Sequence, residues 1–83
     1  PLYSRGYQGL AAIALKTSRF DEARRQVRLA LNAQPATPEL YYYGACAERQ
    51  LGDRNAENSY AQQLKSRFAD SPLNGKLEKG LCE

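Results

Sequence analysis

The 83-residue sequence repeats its helix-start signals and its small residues at an interval of thirty-four. Thr37 and Pro38 form one such signal, a hydroxyl residue able to cap a helix followed by a proline suited to the first turn. Ser71 and Pro72 repeat it thirty-four positions later. Two further pairs keep the interval: Tyr7 with Tyr41, and Ala11 with Ala45. A chain patterned in this way should fold as successive copies of one unit.

Apolar and small residues recur at spacings of three and four, which predicts helices with one face turned to a core. Pro35 and Gly52 are natural helix stops, because proline lacks a backbone donor and glycine tolerates a left-handed turn. We expect an all-α single domain over 1–83, with helices over 2–16, 20–34, 38–51, 54–68 and 72–82. The short fifth helix should cover the exposed face of the fourth.

Composition excludes several classes of function. The net charge is only +3 and the basic residues are scattered among nine acids, which is unlike the basic patch of a nucleic-acid binder. The sequence has no histidine and no glycine-rich phosphate loop, so we expect no enzyme activity, no metal and no cofactor. No apolar stretch is long enough to span a membrane.

A helix pair recurring at about thirty-four residues is the period of tetratricopeptide repeats, and the chain resembles that family over nearly its whole length. The positions of the first repeat that match the family pattern are Tyr7, Leu10, Ala11, Ala23, Val27, Ala30 and Pro35. Ala14 departs from it, as do Gly44, Glu48, Gln63 and Phe68 in the second repeat.

This resemblance implies a right-handed superhelix of antiparallel helix pairs, with repeats over about 2–35 and 38–70 and a capping helix over about 72–82. An unrelated helical bundle is the alternative, because small-residue stripes at helical spacing are common.

The stretch from Leu51 to Pro72, LGDRNAENSYAQQLKSRFADSP, resembles the last repeat of type IV pilus biogenesis lipoproteins of the PilF/PilW kind. That resemblance implies a fragment of a periplasmic, outer-membrane-attached scaffold that supports pilus or secretin assembly. A secretin or another pilus component would be its protein partner, the signal and lipid-attachment cysteine would lie outside this sequence, and the truncated edge could self-associate. The alternative is a generic tetratricopeptide adaptor or chaperone-type module unrelated to pili.

In tetratricopeptide proteins the first helix of each pair lines a concave groove that binds a partner. Carried onto this sequence, the groove residues are Arg5, Gln8, Ala12, Lys16, Glu39, Tyr42, Cys46, Arg49 and Gln50. Tyr42 is the leading contact, as an exposed aromatic residue. Arg5, Lys16 and Arg49 could bind a carboxylate. The alternative is that these are ordinary solvated side chains.

Cys46 and Cys82 allow two interpretations. A disulfide could pin the last helix in an oxidising compartment. The predicted helical register places the two positions nearly a turn apart, so we expect two free thiols by default. Arg24, Arg25 and Arg28 are expected on the solvated outer face of the second helix, where a basic contact surface is the less favoured interpretation.

Overall fold

A computed structural model describes the backbone of residues 2–33 and 35–82, and the side chains of residues 6–33 and 35–82. Over this part of the chain the fold is all-α, without a strand. The five helices are α1 (Leu2–Lys16), α2 (Phe20–Ala33), α3 (Pro38–Leu51), α4 (Arg54–Arg67) and α5 (Leu73–Glu78). The predicted bounds of α1 and α3 are confirmed, and α4 ends one residue before the predicted Phe68.

Side-chain caps set the start of the two middle helices. The backbone N–H of Leu40 donates to Thr37 Oγ1 at 3.2 Å at the start of α3, with Pro38 in the first turn as predicted. Asp53 does the same for α4, where Oδ1 accepts from the N–H of Ala56 at 3.0 Å. These bonds satisfy N–H groups that lack a partner within the helix.

Helix α5 is shorter than expected at both ends. It begins at Leu73, whose N–H donates to the hydroxyl of Ser71 at 3.2 Å, rather than at Pro72. It ends at Glu78 because Gly80 takes a left-handed conformation, with φ of 76°. The helix predicted over about 72–82 is therefore shorter by one residue at its start and four at its end.

Three helices end with the same left-handed turn, at Ser18, Gly52 and Gly80. In each turn this residue donates its N–H three residues back, and the next residue donates five residues back. The first bonds are Ser18 to Leu15, Gly52 to Arg49 and Gly80 to Leu77, and the second are Arg19 to Ala14, Asp53 to Glu48 and Leu81 to Lys76. This arrangement satisfies carbonyl groups at the helix end and turns the chain away.

Helix α3 is the central element of the fold. Eight of its fourteen residues are buried, and it contacts α1, α2, α4 and α5. On one side Ala47 packs with Ala14 and Ala23, where small side chains let α1, α2 and α3 approach closely. On the other side lies a larger cluster built from Tyr41, Tyr42, Ala45, Cys46, Leu64 and Leu77.

Gly44 lies on α3 where the repeat pattern expects leucine, and the structure supplies the reason. A Cβ atom at this position would lie 2.9 Å from two ring carbons of Tyr60 on α4. The tyrosine ring therefore occupies the space that a leucine would fill.

Glu48 and Arg24 form an ion pair between α3 and α2, in which the Arg24 side chain remains 30% exposed. The Glu48 side chain is fully buried, and Arg24 donates from Nε to Oε2 at 2.9 Å and from Nη2 to Oε1 at 2.6 Å. Hydrogen bonding to Glu48 raises the pKa of Arg24 above its ordinary value. The expectation that Arg24 shares the solvated outer face with Arg25 and Arg28 was wrong, because its guanidinium turns inward to the carboxylate.

Cys46 and Cys82 form a disulfide, so the expectation of two free thiols was wrong. Their Cα atoms are 5.6 Å apart, within the range of about 7 Å that bridging requires. Helical register does not apply to Cys82 because this residue does not lie on a helix: the turn at Gly80 carries the chain from α5 across to α3. Helix α5 consequently packs against α3 as well as against α4, the neighbour predicted for it.

Candidate functional site

A cleft of about 400 Å³ opens beside α1 and α3 and is bordered by the end of the chain. We call it the inner cleft; its lining residues are Ala12, Leu15, Lys16, Tyr42, Tyr43 and Cys82. Ala12, Leu15 and Lys16 share one side of α1 because residues three and four apart are neighbours on a helix. Three predicted groove residues, Ala12, Lys16 and Tyr42, therefore line one cleft.

Tyr42 lines this cleft without being the exposed aromatic that was predicted. Only 3% of its surface is accessible, and its hydroxyl donates to the backbone carbonyl of Leu81 at 2.9 Å. The Nζ of Lys76 lies 5.9 Å from the centroid of its ring, within the range of a cation–π contact. Helix α5 and the residues after it thus contact a side chain that the helical pattern alone places in the groove.

Tyr43 provides the more accessible aromatic wall. It is half-buried, and its ring centroid is 5.9 Å from that of Tyr42. Burial raises the pKa of the Tyr43 phenol above its ordinary value, and the negative charge of Glu39 raises it further. The hydroxyl therefore stays protonated at neutral pH and can donate a hydrogen bond.

Arg49 is not available for an incoming carboxylate. Its Nε donates to Glu57 Oε2 at 2.6 Å, and its Nη2 donates to the backbone carbonyl of Leu77 at 3.3 Å. Its Nη1 lies 3.6 Å from the sulfur of Cys82. Arg49 ties α3 to α4 and α5, which corrects its predicted role in the groove.

Cys46 likewise cannot contact a partner in a groove, because it is fully buried and bonded to Cys82. Gln8 is half-buried, and its Oε1 accepts from the hydroxyl of Thr37 at 2.9 Å, which links α1 to the start of α3. Glu39 and Gln50 are exposed and do not line the inner cleft. The side chain of Arg5 lies outside the described residues.

The three lining residues absent from the predicted set differ in how readily sequence could have found them. Leu15 lies three residues after Ala12, so helical spacing places it on the same side. Tyr43 follows Tyr42 directly, and an aromatic residue next to a predicted groove residue is a signal that the sequence offers. Cys82 reaches the cleft only through the turn at Gly80, and no periodic signal marks that change of direction.

A second cavity, of about 430 Å³, involves α3, α4 and α5 and is lined mostly by polar side chains. The ion pair of Arg49 and Glu57 lies in its wall. Since these charges satisfy each other, we take the inner cleft, with its apolar walls and the exposed ammonium of Lys16, as the candidate site.

Within residues 2–33 and 35–82, no three metal-binding side chains lie close enough to hold an ion. No helix in the same part of the chain combines the length and apolar character needed to cross a bilayer. Comparison of the chain with models of protein families, with curated proteins and with solved structures found no match. The candidate site therefore rests on its geometry alone.

Proposed function

We propose that the chain is a non-enzymatic scaffold of the tetratricopeptide type, which binds a segment of a partner protein in the inner cleft. The cleft itself carries this proposal. It has aliphatic and aromatic walls from Ala12, Leu15 and Tyr43, and a cationic group at Lys16. An apolar surface with a few polar groups suits a polypeptide segment that has one apolar anchor and one acidic group.

Two observations support the repeat architecture. The left-handed turns at Ser18 and Gly52 have the same hydrogen bonds and lie thirty-four residues apart, the interval of the sequence pattern. Helix α1 contacts α3, and α3 contacts α5, as expected when the first helices of successive pairs line one side of a superhelix. These features favour stacked helix pairs over an irregular bundle.

The disulfide of Cys46 and Cys82 supports a location outside the cytoplasm, because such bonds persist in oxidising compartments. It agrees with the resemblance of residues 51–72 to type IV pilus biogenesis lipoproteins. We propose a periplasmic scaffold at the outer membrane that supports pilus or secretin assembly. A generic tetratricopeptide adaptor is the second candidate, and self-association at α1 would use Leu10 and Ile13, which are 49% and 55% exposed.

The test is affinity capture from cell envelopes with the intact protein. Ala12→Arg should fill the cleft and Lys16→Glu should reverse its charge, so each should lower capture of a secretin or another pilus component at least about tenfold, or 1.4 kcal/mol. Arg54→Glu is the matched control, because it makes the same charge change at an exposed position outside the cleft.

Unchanged capture by both cleft variants, with far-ultraviolet circular dichroism intact, would exclude binding in the inner cleft. Recovery of cytosolic chaperones without pilus components would support the generic adaptor instead.

A further inference from the structure

The last described residues, Gly80, Leu81 and Cys82, lie across the side of α3 that was predicted to bind a partner. We call this segment the C-terminal strap. It accepts a hydrogen bond from Tyr42 at the carbonyl of Leu81, contacts Arg49 through the sulfur of Cys82, and is bonded to Cys46. Tyr42, Cys46 and Arg49, three predicted groove residues, are thus engaged by the strap.

The covalent bond between Cys46 and Cys82 is the strongest single attachment of the strap. Leu81 is 44% exposed, so its side chain is only partly buried. The short helix α5 before the strap has six residues, and the strap is joined to it through the glycine turn at Gly80. The hydrogen bond from Tyr42 to Leu81 joins two neutral groups, and such a bond contributes only modestly to stability.

We propose that the C-terminal strap covers the side of α3 that carries Tyr42, Cys46 and Arg49 and blocks it to a partner. Reduction of the disulfide then lets an extended partner segment replace the strap. The strap indicates the kind of ligand this surface accepts, because it places a backbone carbonyl on the hydroxyl of Tyr42. A partner segment would place its own carbonyl there and extend into the inner cleft. We call this control of partner binding by the strap gating. Gating rests on the proposed function, whereas release of the strap on reduction does not.

The reductant is a dithiol, and the exchange is balanced. Cys82 is partly accessible whereas Cys46 is fully buried, so one thiolate of the dithiol attacks the sulfur of Cys82. The protein S–S bond breaks, and the sulfur of Cys46 leaves with the electron pair and takes up a proton. The second thiol of the reagent then attacks the mixed disulfide, which releases Cys82 as a thiol and leaves the dithiol as its own disulfide.

Release of the strap is tested on the full chain by hydrogen exchange with and without dithiothreitol. The amide of Leu81 is held by the carbonyl of Lys76 at 2.8 Å in the oxidised chain. We expect its exchange to accelerate at least tenfold on reduction while the helical circular dichroism of the chain is retained. Cys82→Ser should behave like the reduced chain without reductant, and its Cys46 thiol should react with iodoacetamide in the folded state.

Two results would overturn release of the strap. Unchanged exchange at Leu81 in the reduced chain, together with a Cys46 thiol of Cys82→Ser that stays unreactive towards iodoacetamide, would mean that noncovalent contacts hold the strap. Faster exchange throughout the chain, with loss of helical circular dichroism, would mean that the disulfide maintains the whole fold rather than one segment.

Gating is tested by envelope capture with Cys82→Ser beside the oxidised wild type, which avoids reducing other proteins in the extract. We expect Cys82→Ser to recover at least tenfold more of the component whose capture depends on Ala12 and Lys16. Equal recovery would overturn gating, even where Ala12→Arg lowers capture and supports the inner cleft. Capture insensitive to Ala12→Arg would instead overturn the proposed function.

Discussion

The carboxylate of Glu48 is enclosed between α2 and α3, where the guanidinium of Arg24 compensates its charge. An ionised group out of water is costly unless it is paired and hydrogen-bonded, and this pair meets both conditions through a two-point contact. Arg25, one residue along α2, pairs instead with Glu22 at the surface. Adjacent arginines therefore make contributions of very different kinds.

We predict that Arg24→Ala lowers the free energy of unfolding several-fold more than Arg25→Ala, because it leaves a buried carboxylate without a counter-charge. Exposed ion pairs contribute little, so Arg25→Ala is the matched control. Urea unfolding followed by circular dichroism measures both. Equal effects would contradict the burial of Glu48.

Ser18 has a positive φ of 61°, a conformation that glycine adopts more easily than residues with a Cβ atom. We predict that Ser18→Gly raises the free energy of unfolding by about 0.5–1 kcal/mol. Ser59→Gly is the control on the exposed part of α4, where glycine should instead cost about 0.5 kcal/mol. Both changes are measured by urea unfolding, and a loss of stability at Ser18 would contradict the left-handed turn.

At the scale of elements, α3 determines how the other helices are placed. Gly44 on α3 contacts the ring of Tyr60, and Ala47 packs against Ala14 and Ala23. Tyr42 on the same helix is hydrogen-bonded to the strap. A helix with so many neighbours tolerates few changes of side-chain volume. The more exposed helices α1 and α4 have no such restriction along their outer sides.

Gly44→Ala tests this restriction. A Cβ atom at 2.9 Å from the Tyr60 ring forces α3 and α4 apart or displaces the ring, so we predict a loss of about 1–2 kcal/mol despite the better helix propensity of alanine. Gly9→Ala is the control, because its Cβ atom would meet open space and should add about 0.5–1 kcal/mol. Thermal unfolding of the two variants should shift in opposite directions, and a shared direction would contradict the contact.

At the scale of the whole molecule, local signals in the sequence were sufficient for most helix bounds. Thr37 with Pro38 and the turn at Gly52 mark α3 through backbone chemistry that needs no tertiary context. The candidate site was less predictable, because its walls depend on contacts between distant residues. The hydroxyl of Tyr42 donates to a carbonyl thirty-nine residues away, and Arg24 turns inward to Glu48. Helical periodicity contains no information about either contact.

The disulfide should also affect global stability. It closes a loop between residues thirty-six apart, and the chain-entropy model gives a stabilisation of about 3–4 kcal/mol for a loop of that length. Urea unfolding with and without dithiothreitol should show a difference of that size. The double variant with serine at positions 46 and 82 should match the reduced wild type and ignore the reagent; an oxidised wild type no more stable than this variant would contradict the prediction.

The turns at Ser18 and Gly52 have the same backbone hydrogen bonds, so the chain entering one turn could be joined to the chain leaving the other. Excising residues 19–52 would connect Ser18 to Asp53, so that α1 leads into α4 through a connection of the same length as the one it now makes to α2. A protein built on such joints can gain or lose whole helix pairs without redirecting the chain. Each such exchange would add or remove thirty-four residues, the separation of Ser18 and Gly52.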